Sequence, residues 1–429
     1  MPVAAAPAVP ETALRHWLRT RWRLAYLACL CGAGLYIARA MFQLVIIRAE
    51  LPLQDFPEFY NAAVALNQGG DPYTAFISTC PAAHWCLGGY IYPTLFAELL
   101  RPLALLPVAT AAQAWLLLSH VMLVASAVIT YRTVKPWLPR GAAPLLLGVS
   151  LFFLPVYQNL HAAQIGALLL LVLTMAAWFF VRGQGAAAGL GLGLASVLRV
   201  SPVAMAPILL RTRRDLARPW GLLLMGLTGL LLLAGLYLLT PTTIEYFTEV
   251  LPRISAGTGI SSNVSLPGVV ERVQEVAAGR VIIGSSVFTV VVTLLGIGIT
   301  WLASLRLDGA RSRAAVFAAF LAVLPVVSSI TWNYHLMNEL LVYALLAPTL
   351  IAGSRAWWLA VASYPLLWIY ADGLLLVFNI GTQTPLGTAL FILLTSLNVV
   401  GAALLWLACL DVLRLRRRES AASDGWDPL

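Results

Sequence analysis

Apolar runs of membrane length follow one another along almost the whole chain, and this repetition limits the fold more than any single motif. Such segments lie at about 24–46, 91–107, 110–131, 143–156, 164–181, 186–210, 220–239, 281–304, 314–331, 337–353, 356–378 and 387–410. A hydrocarbon core about 30 Å thick is crossed by roughly 20 such residues in a helix. The runs lack the period-two alternation of an outer-membrane strand, so helices must satisfy the backbone in lipid. With 60% hydrophobic and only 10% charged residues, a soluble core of this size would have too little polar surface to cover it. The expected fold class is an all-α polytopic membrane protein of ten to thirteen segments, twelve favoured.

A net charge of +9 would also suit a nucleic-acid partner, but the basic residues stand in short clusters between apolar runs. Arg15, Arg19, Arg21 and Arg23 precede the first; Arg211, Arg213, Arg214 and Arg218, then Arg306, Arg311 and Arg313, and finally Arg414, Arg416, Arg417 and Arg418 form the others. Clusters of this kind mark cytoplasmic loops beside anionic lipid, so no nucleic-acid partner is expected. The division expected is a cytoplasmic segment 1–23, a single membrane domain 24–410 and a cytoplasmic tail 411–429. The opening residues read as a retained first helix, since no small-residue cleavage site closes a short apolar region. Strict alternation puts 240–280, 332–336 and 379–386 outside. Arg132, Lys135, Arg140 and Arg182 then fall on the wrong side, so either 91–107 is re-entrant or those charges break the rule. Cys29, Cys31 and Cys409 lie in or near apolar helices as packing residues, whereas Cys80 and Cys86 share one polar loop, where an extracytoplasmic position would permit a disulfide.

The polar intervals carry the chemistry. Directly after the first helix comes "DFPEFYNAAVALNQGGDPY" at 55–73, predicted as a short amphipathic helix in an outer loop. Phe56, Phe59, Tyr60, Ala63 and Leu66 would lie on the membrane interface, with Asp55 and Glu58 facing water. Asp55 can be an ordinary loop charge, or a general base meeting a partly lipidic substrate. His335, in "SSITWNYHLMN", is either satisfied at a helix end or available to a phosphate or sugar, with Trp332 and Tyr334 stacking nearby. Arg199 stands before Pro202 in an otherwise apolar stretch, where a cation is costly unless it has a task such as facing phosphate. Gln158, Asn159, His161 and Gln164 form a further polar knot. The loop "VLPRISAGTGISSNVSLPGVVERV" offers Arg253, Asn263, Ser265 and Arg272 as donors. The "GLGLGL" run at 189–194 lies within a membrane segment, where glycines permit close helix packing, and is no dinucleotide fingerprint. Neither a phosphate-binding loop motif nor a clustered His/Cys metal site occurs, so no metal or cofactor is expected.

Taken in order, these blocks resemble the polyprenyl-phosphate-dependent membrane glycosyltransferases of the GT-C fold, family GT87. The opening signature is similar to residues 55–73 and the Tyr-Pro block to "YIYPTLFAELLRPLALLP" at 90–107. The Gly-Gln block corresponds to "NLHAAQIGALLLLVL" at 159–173, and the glycine-rich run to "AGLGLGLASVLRVSP" at 188–202. Later, "SNVSLPGVVERV" and "VSSITWNYHLMN" match the last two blocks. The chain departs from the family pattern at Ala163 (usually glycine), Arg199 (commonly lysine), Thr94 (a second proline) and Tyr334 (the first of two histidines).

The resemblance implies a GT-C domain of about twelve membrane segments whose outer first loop carries amphipathic helices, in a bacterial cytoplasmic membrane, with its active site on the extracytoplasmic side. It implies transfer of a sugar, mannose favoured, from a polyprenyl-monophosphate donor to a lipid or glycan hydroxyl by a single inverting displacement. Asp55 would be the catalytic base. His335, Arg199, Asn263, Ser265, Gln164, Trp332 and Tyr334 would hold donor phosphate or sugar, and Glu58 and Tyr60 would orient the acceptor. The expected partners are the glycolipid donor, the acceptor and bilayer lipids, with a monomer expected. An arabinofuranosyl or other pentosyl transferase of the same fold is an alternative. From another class, so is a transporter or lipid-linked sugar flippase, which would show internal repeats and polar residues at mid-membrane.

Overall fold

The computed structural model describes residues 22–49, 55–80, 88–138, 142–211, 218–305, 307, 309–350 and 354–424, and among them every regular element is helical. The first apolar run forms α1 (Trp22–Ala49). The polar interval after it gives α2 (Phe56–Asn67) and α3 (Thr94–Leu100), and α4 (Val108–Val134) follows. Residues 91–107 are therefore not a membrane segment, although their composition is apolar. Pro93 caps α3, Pro102 precedes a short 3-10 turn and Pro107 caps α4, so no long helix fits between them. Part of the apolar surface of this stretch is taken up by protein, while Leu99, Leu105 and Leu106 stay exposed. Phe96 and Ala97 are fully buried, and the Phe59 ring of α2 meets Phe96 at 5.1 Å and Tyr92 at 5.5 Å, both edge-on. This also corrects the expected orientation of α2, because Phe56, Phe59, Ala63 and Leu66 are buried in the core. An aromatic cluster on 90–96 offers that face more than a bilayer surface does.

Two helices, α5 (Ala142–Leu151) and α6 (Leu154–His161), are bent by 46° at a break followed by Pro155. Then come α7 (Gly166–Val181), α8 (Gly185–Leu198), a 3-10 stretch over Ser201–Arg211, and α9 (Arg218–Leu239). Glycine is required at 193, since a β-carbon there would lie 2.7 Å from the Met225 carbonyl of α9. The two backbones pack in direct contact, as small residues allow in membranes. The outer loop forms α10 (Leu266–Ala278), whose Ser265 cap accepts from the Gly268 amide at 3.1 Å. The chain continues with α11 (Ser285–Ser304), α12 (Ala310–Val327), α13 (Glu339–Leu350), α14 (Ala356–Trp368), α15 (Ala371–Val377) and α16 (Pro385–Asp424). Every residue from Ala314 to Val327 is buried, so α12 is the central post, packed by α7, α11, α13 and α16.

Among the described residues, five helices are long and apolar enough to cross a membrane, or seven if each bent pair (α5 with α6, α14 with α15) is one span. Twelve long spans are not found. The segments expected at 164–181 and 186–210 are shorter apolar helices, Gly166–Val181, Gly185–Leu198 and Ser201–Leu210. The helix α16 runs unbroken into the expected tail as far as Asp424. Cys29, Cys31 and Cys409 are free, and Cys80 is buried and disulfide-bonded. Cys86, its expected partner, lies outside the described residues, as do 1–21.

Candidate active site

Asp55 sits at the N-terminal cap of α2, the position where an aspartate ordinarily accepts a backbone N–H of the first turn. Here the side chain makes no such bond. Its Oδ2 instead accepts a hydrogen bond from Gln164 Nε2, and the Tyr334 hydroxyl also bonds to it. Gln164 is oriented from the other side, because Tyr92 donates its hydroxyl to Gln164 Oε1 at 2.8 Å. What brings Gln164 there is a left-handed residue at the end of α6: Ala163 has φ 49°, and its carbonyl accepts from Trp115 Nε1 at 2.9 Å. Only glycine adopts that conformation without strain, which accounts for the glycine usual at this position.

Burial raises the Asp55 pKa above the ordinary carboxylate value, and the Gln164 and Tyr334 hydrogen bonds oppose the rise. One turn on, Glu58 is pushed up to about 7, first by burial and then by the Asp55 charge. Glu58 is half-buried and does not simply face water, for its Oε1 accepts the Gly89 amide at 3.1 Å. The Asp55 charge thus works against ionisation of Glu58, as a neighbouring carboxylate does.

The cationic side of the site begins where α8 ends. Arg199 takes an extended conformation at the helix C-terminus, where a positive charge is favoured. It leads into a 3-10 stretch whose Pro202 rules out an unbroken α-helix. Its Nη2 donates to His335 Nδ1 at 2.8 Å, and no ion pair to a carboxylate engages Arg199 among the described residues. The same Nδ1 accepts the Trp332 backbone N–H at 2.9 Å. Two donors on Nδ1 leave the proton of the neutral ring on Nε2. Burial and the Arg199 charge hold the His335 pKa well below its usual value, which keeps the ring neutral. Tyr334 stands edge-on to His335 with centroids 4.7 Å apart. Its hydroxyl pKa is raised far above the usual value by burial and then by Tyr92 and Asp55.

A cavity of about 240 Å³ opens on Arg199 and His335, walled by Tyr92, Pro93, Tyr246, Ser329 and Trp332 among others. Asp55 does not line it directly but joins its wall through Gln164 and Tyr92. Tyr246 opens a π-helical turn, Tyr246–Val250, at this wall, a distortion frequent at functional sites. Neither Tyr92 nor Tyr246 was singled out by sequence. A buried tyrosine reads there as one more apolar residue, although the Tyr-Pro block was a signal for Tyr92.

The structure thus brings together Asp55, Gln164, Tyr334, Trp332, His335 and Arg199. Asn263 and Ser265 do not join them: both are fully buried and spent on the protein itself. Asn263 Nδ2 donates to the Thr258 and Ser329 carbonyls at 2.9 and 3.0 Å, and its Oδ1 accepts the Thr331 N–H at 3.0 Å and the Ser265 hydroxyl at 2.9 Å. Arg272 donates to the carbonyls of Gly259, Ile260, Asn263 and Thr395. The Tyr60 hydroxyl donates to the Leu106 carbonyl at 2.8 Å. Among the described residues no three His, Cys, Asp or Glu side chains come together as a metal site would need.

No curated protein matches the sequence. Among solved structures, the fold is similar to the crystal structure of ArnT from Cupriavidus metallidurans bound to undecaprenyl phosphate, with 14% identity and a TM-score of 0.42, covering 91% of this chain and 79% of that one. The model of glycosyltransferase family 87 matches residues 90–330 of the 429. That stretch is more than half the chain and carries Tyr92, Gln164, Arg199 and Tyr246, so the protein belongs to glycosyltransferase family 87 (GT87).

Proposed function

We propose that the protein transfers a sugar, mannose favoured, from a polyprenyl-monophosphate donor to a hydroxyl of a lipid or glycan acceptor with inversion. The observation that carries this reading is the union of a raised carboxylate, Asp55, with a cation lacking a carboxylate partner, Arg199, around one hydrogen-bonded aromatic chamber. Asp55 takes the proton of the acceptor hydroxyl as its oxygen attacks the anomeric carbon. The bond from that carbon to the phosphate oxygen breaks on the opposite face, and polyprenyl phosphate departs with the electron pair. Arg199 opposes the charge gathering on the phosphate, a task suited to a partly desolvated guanidinium. His335 holds Arg199 in place, and Trp332, Tyr334 and Tyr92 give the sugar a wall of rings. Phosphate is a stable leaving group, so the step asks for no separate general acid. Glu58 and Tyr60 stand on the acceptor side of Asp55.

The same reading sets the membrane orientation. With 91–107 left out, the five long helices, the two bent pairs as one crossing each, the three shorter apolar helices, and α1 and α13 make twelve alternating segments. Arg132, Lys135, Arg140, Arg182, Arg355 and the clusters at 211–218, 306–313 and 414–418 then all share the cytoplasmic side. Asp55, Gln164, Arg199, His335 and the 240–283 loop share the other, where an oxidising exterior suits the Cys80 disulfide.

The test is release of polyprenyl phosphate by the purified protein in bilayer discs, given a panel of polyprenyl-phosphate sugars and membrane lipid extract. Wild type releases it and Asp55→Asn does so at less than about a hundredth of that rate. Equal rates in the two proteins would refute Asp55 as base. Membrane-impermeant labelling of Thr248→Cys from the cytoplasmic face alone would refute the orientation.

A further inference from the structure

Behind the Arg199–His335 pair lies a second, smaller cavity of about 30 Å³, lined by Arg199, Ser201, His335, Asn338 and Glu339 among others. One water needs about 10–15 Å³ measured in this way, so the space is water-sized, and in a lining that is mainly apolar these polar groups converge on it. Glu339 is 0% exposed, and neither of its carboxyl oxygens has a hydrogen-bond partner among the described residues. His335 is 9% exposed, and its Nε2, the nitrogen left carrying the proton, is likewise buried without a partner. A carboxylate and an N–H left unpaired in one buried pocket are costly apart and complementary together. Glu339 opens α13 directly from the 3-10 turn Asn333–Asn338, and its own backbone N–H is bonded to the Leu336 carbonyl, so only its side chain is left to seek a partner.

We infer that Glu339 is a positioning residue for the transfer: across a water in this cavity its carboxylate receives the Nε2–H of His335, whose Nδ1 in turn holds Arg199 towards the donor phosphate. The inference rests on the proposed sugar transfer for its consequence, but its geometry belongs to the free protein. An acceptor oxygen on the Nε2 side makes Nδ1 a better acceptor and fixes the tautomer that Arg199 requires, as outer partners do for metal-bound histidines. Glu339 itself touches no substrate. Its effect is confined to the end of the site that meets phosphate.

The test measures kcat/KM for donor and KM for acceptor in Glu339→Gln and Glu339→Asp, alongside the nitrogen-15 spectrum of histidine-labelled wild type. Exchanging the carboxyl for an amide disrupts this link and predicts a fall of about tenfold in donor kcat/KM for Glu339→Gln. The acceptor KM stays unchanged and Glu339→Asp restores part of the loss. An unchanged donor kcat/KM, or equal damage to donor and acceptor parameters, overturns the inference. The spectrum decides independently of turnover or of a variant's folding: His335 must show a single proton on Nε2 from pH 6 to 8, and a proton on Nδ1 overturns the relay. A wild type that transfers no sugar but shows that Nε2 proton would refute the proposed function and leave the relay standing.

Discussion

Replacing Gln164 with leucine separates the base from the group that keeps it ionised. Gln164 Nε2 donates to Asp55 Oδ2 and so favours the anion. A hydrogen bond to a charged group contributes about 1.5–3 kcal/mol, and one pH unit of pKa corresponds to about 1.4 kcal/mol. Asp55 keeps its Tyr334 bond and is only half-buried, so the low end of that range applies and the Asp55 pKa rises by roughly one unit. The sign follows directly. A base with a raised pKa stays protonated to higher pH, so the acidic limb of the rate profile moves alkaline by about a unit. At a pH below the limb the variant is about tenfold slower, and the deficit shrinks as pH climbs past it. The Tyr92 hydroxyl also loses its acceptor, which costs about 1–3 kcal/mol of stability and appears as a lower unfolding temperature. The assay is initial-rate release of polyprenyl phosphate between pH 5.5 and 9. A loss of equal size at every pH, or none, would refute the role assigned to the Gln164 bond.

Glu58→Gln leaves the acidic limb of the same profile in place, because burial and not the Glu58 charge raises the Asp55 pKa; a limb that moves by a unit would refute this. Glu58 itself, raised to about 7, contributes stability that is full below the ordinary glutamate pKa and lost as pH rises through 7. The wild-type unfolding temperature therefore drops between pH 5 and 8 more than that of Glu58→Gln. Asn263→Ala removes a fully buried side chain that binds four partners, and destabilises the protein by about 3 kcal/mol in denaturant or thermal unfolding. Ala163→Gly relieves a left-handed alanine and, after the unfolded-state entropy of glycine is subtracted, stabilises by about 0.5–1 kcal/mol with activity retained.

The membrane class and the first helix were legible because an apolar run of some 23 residues has few other fates. Residues 91–107 were misjudged because composition registers Phe96 and Leu100 as apolar but does not reveal that Phe59 is waiting to cover them. The prolines at 93, 102 and 107 were the better guide. Asp55, Gln164, Arg199 and His335 stood out because each interrupts apolar text at a cost that demands a reason. Asn263 and Ser265 stood out for the same cause, yet they answer a different need: a loop that folds over a membrane domain must satisfy its own buried carbonyls and amides. Polarity in a sequence marks both kinds of residue alike, and only the partner distinguishes them. Glu339 went unnoticed because it opens an apolar helix, four residues beyond the segment's last aromatic or imidazole ring.

The Asn263 contacts fasten the loop before α10, through the Ser329 carbonyl and Thr331 amide, to the short segment that leads into Trp332 and His335. Because His335 in turn holds the Arg199 guanidinium, slack introduced at the loop is handed along the chain to the cation. The stiffness of a distant, wholly internal knot of amides and carbonyls is thereby a determinant of where the positive charge rests.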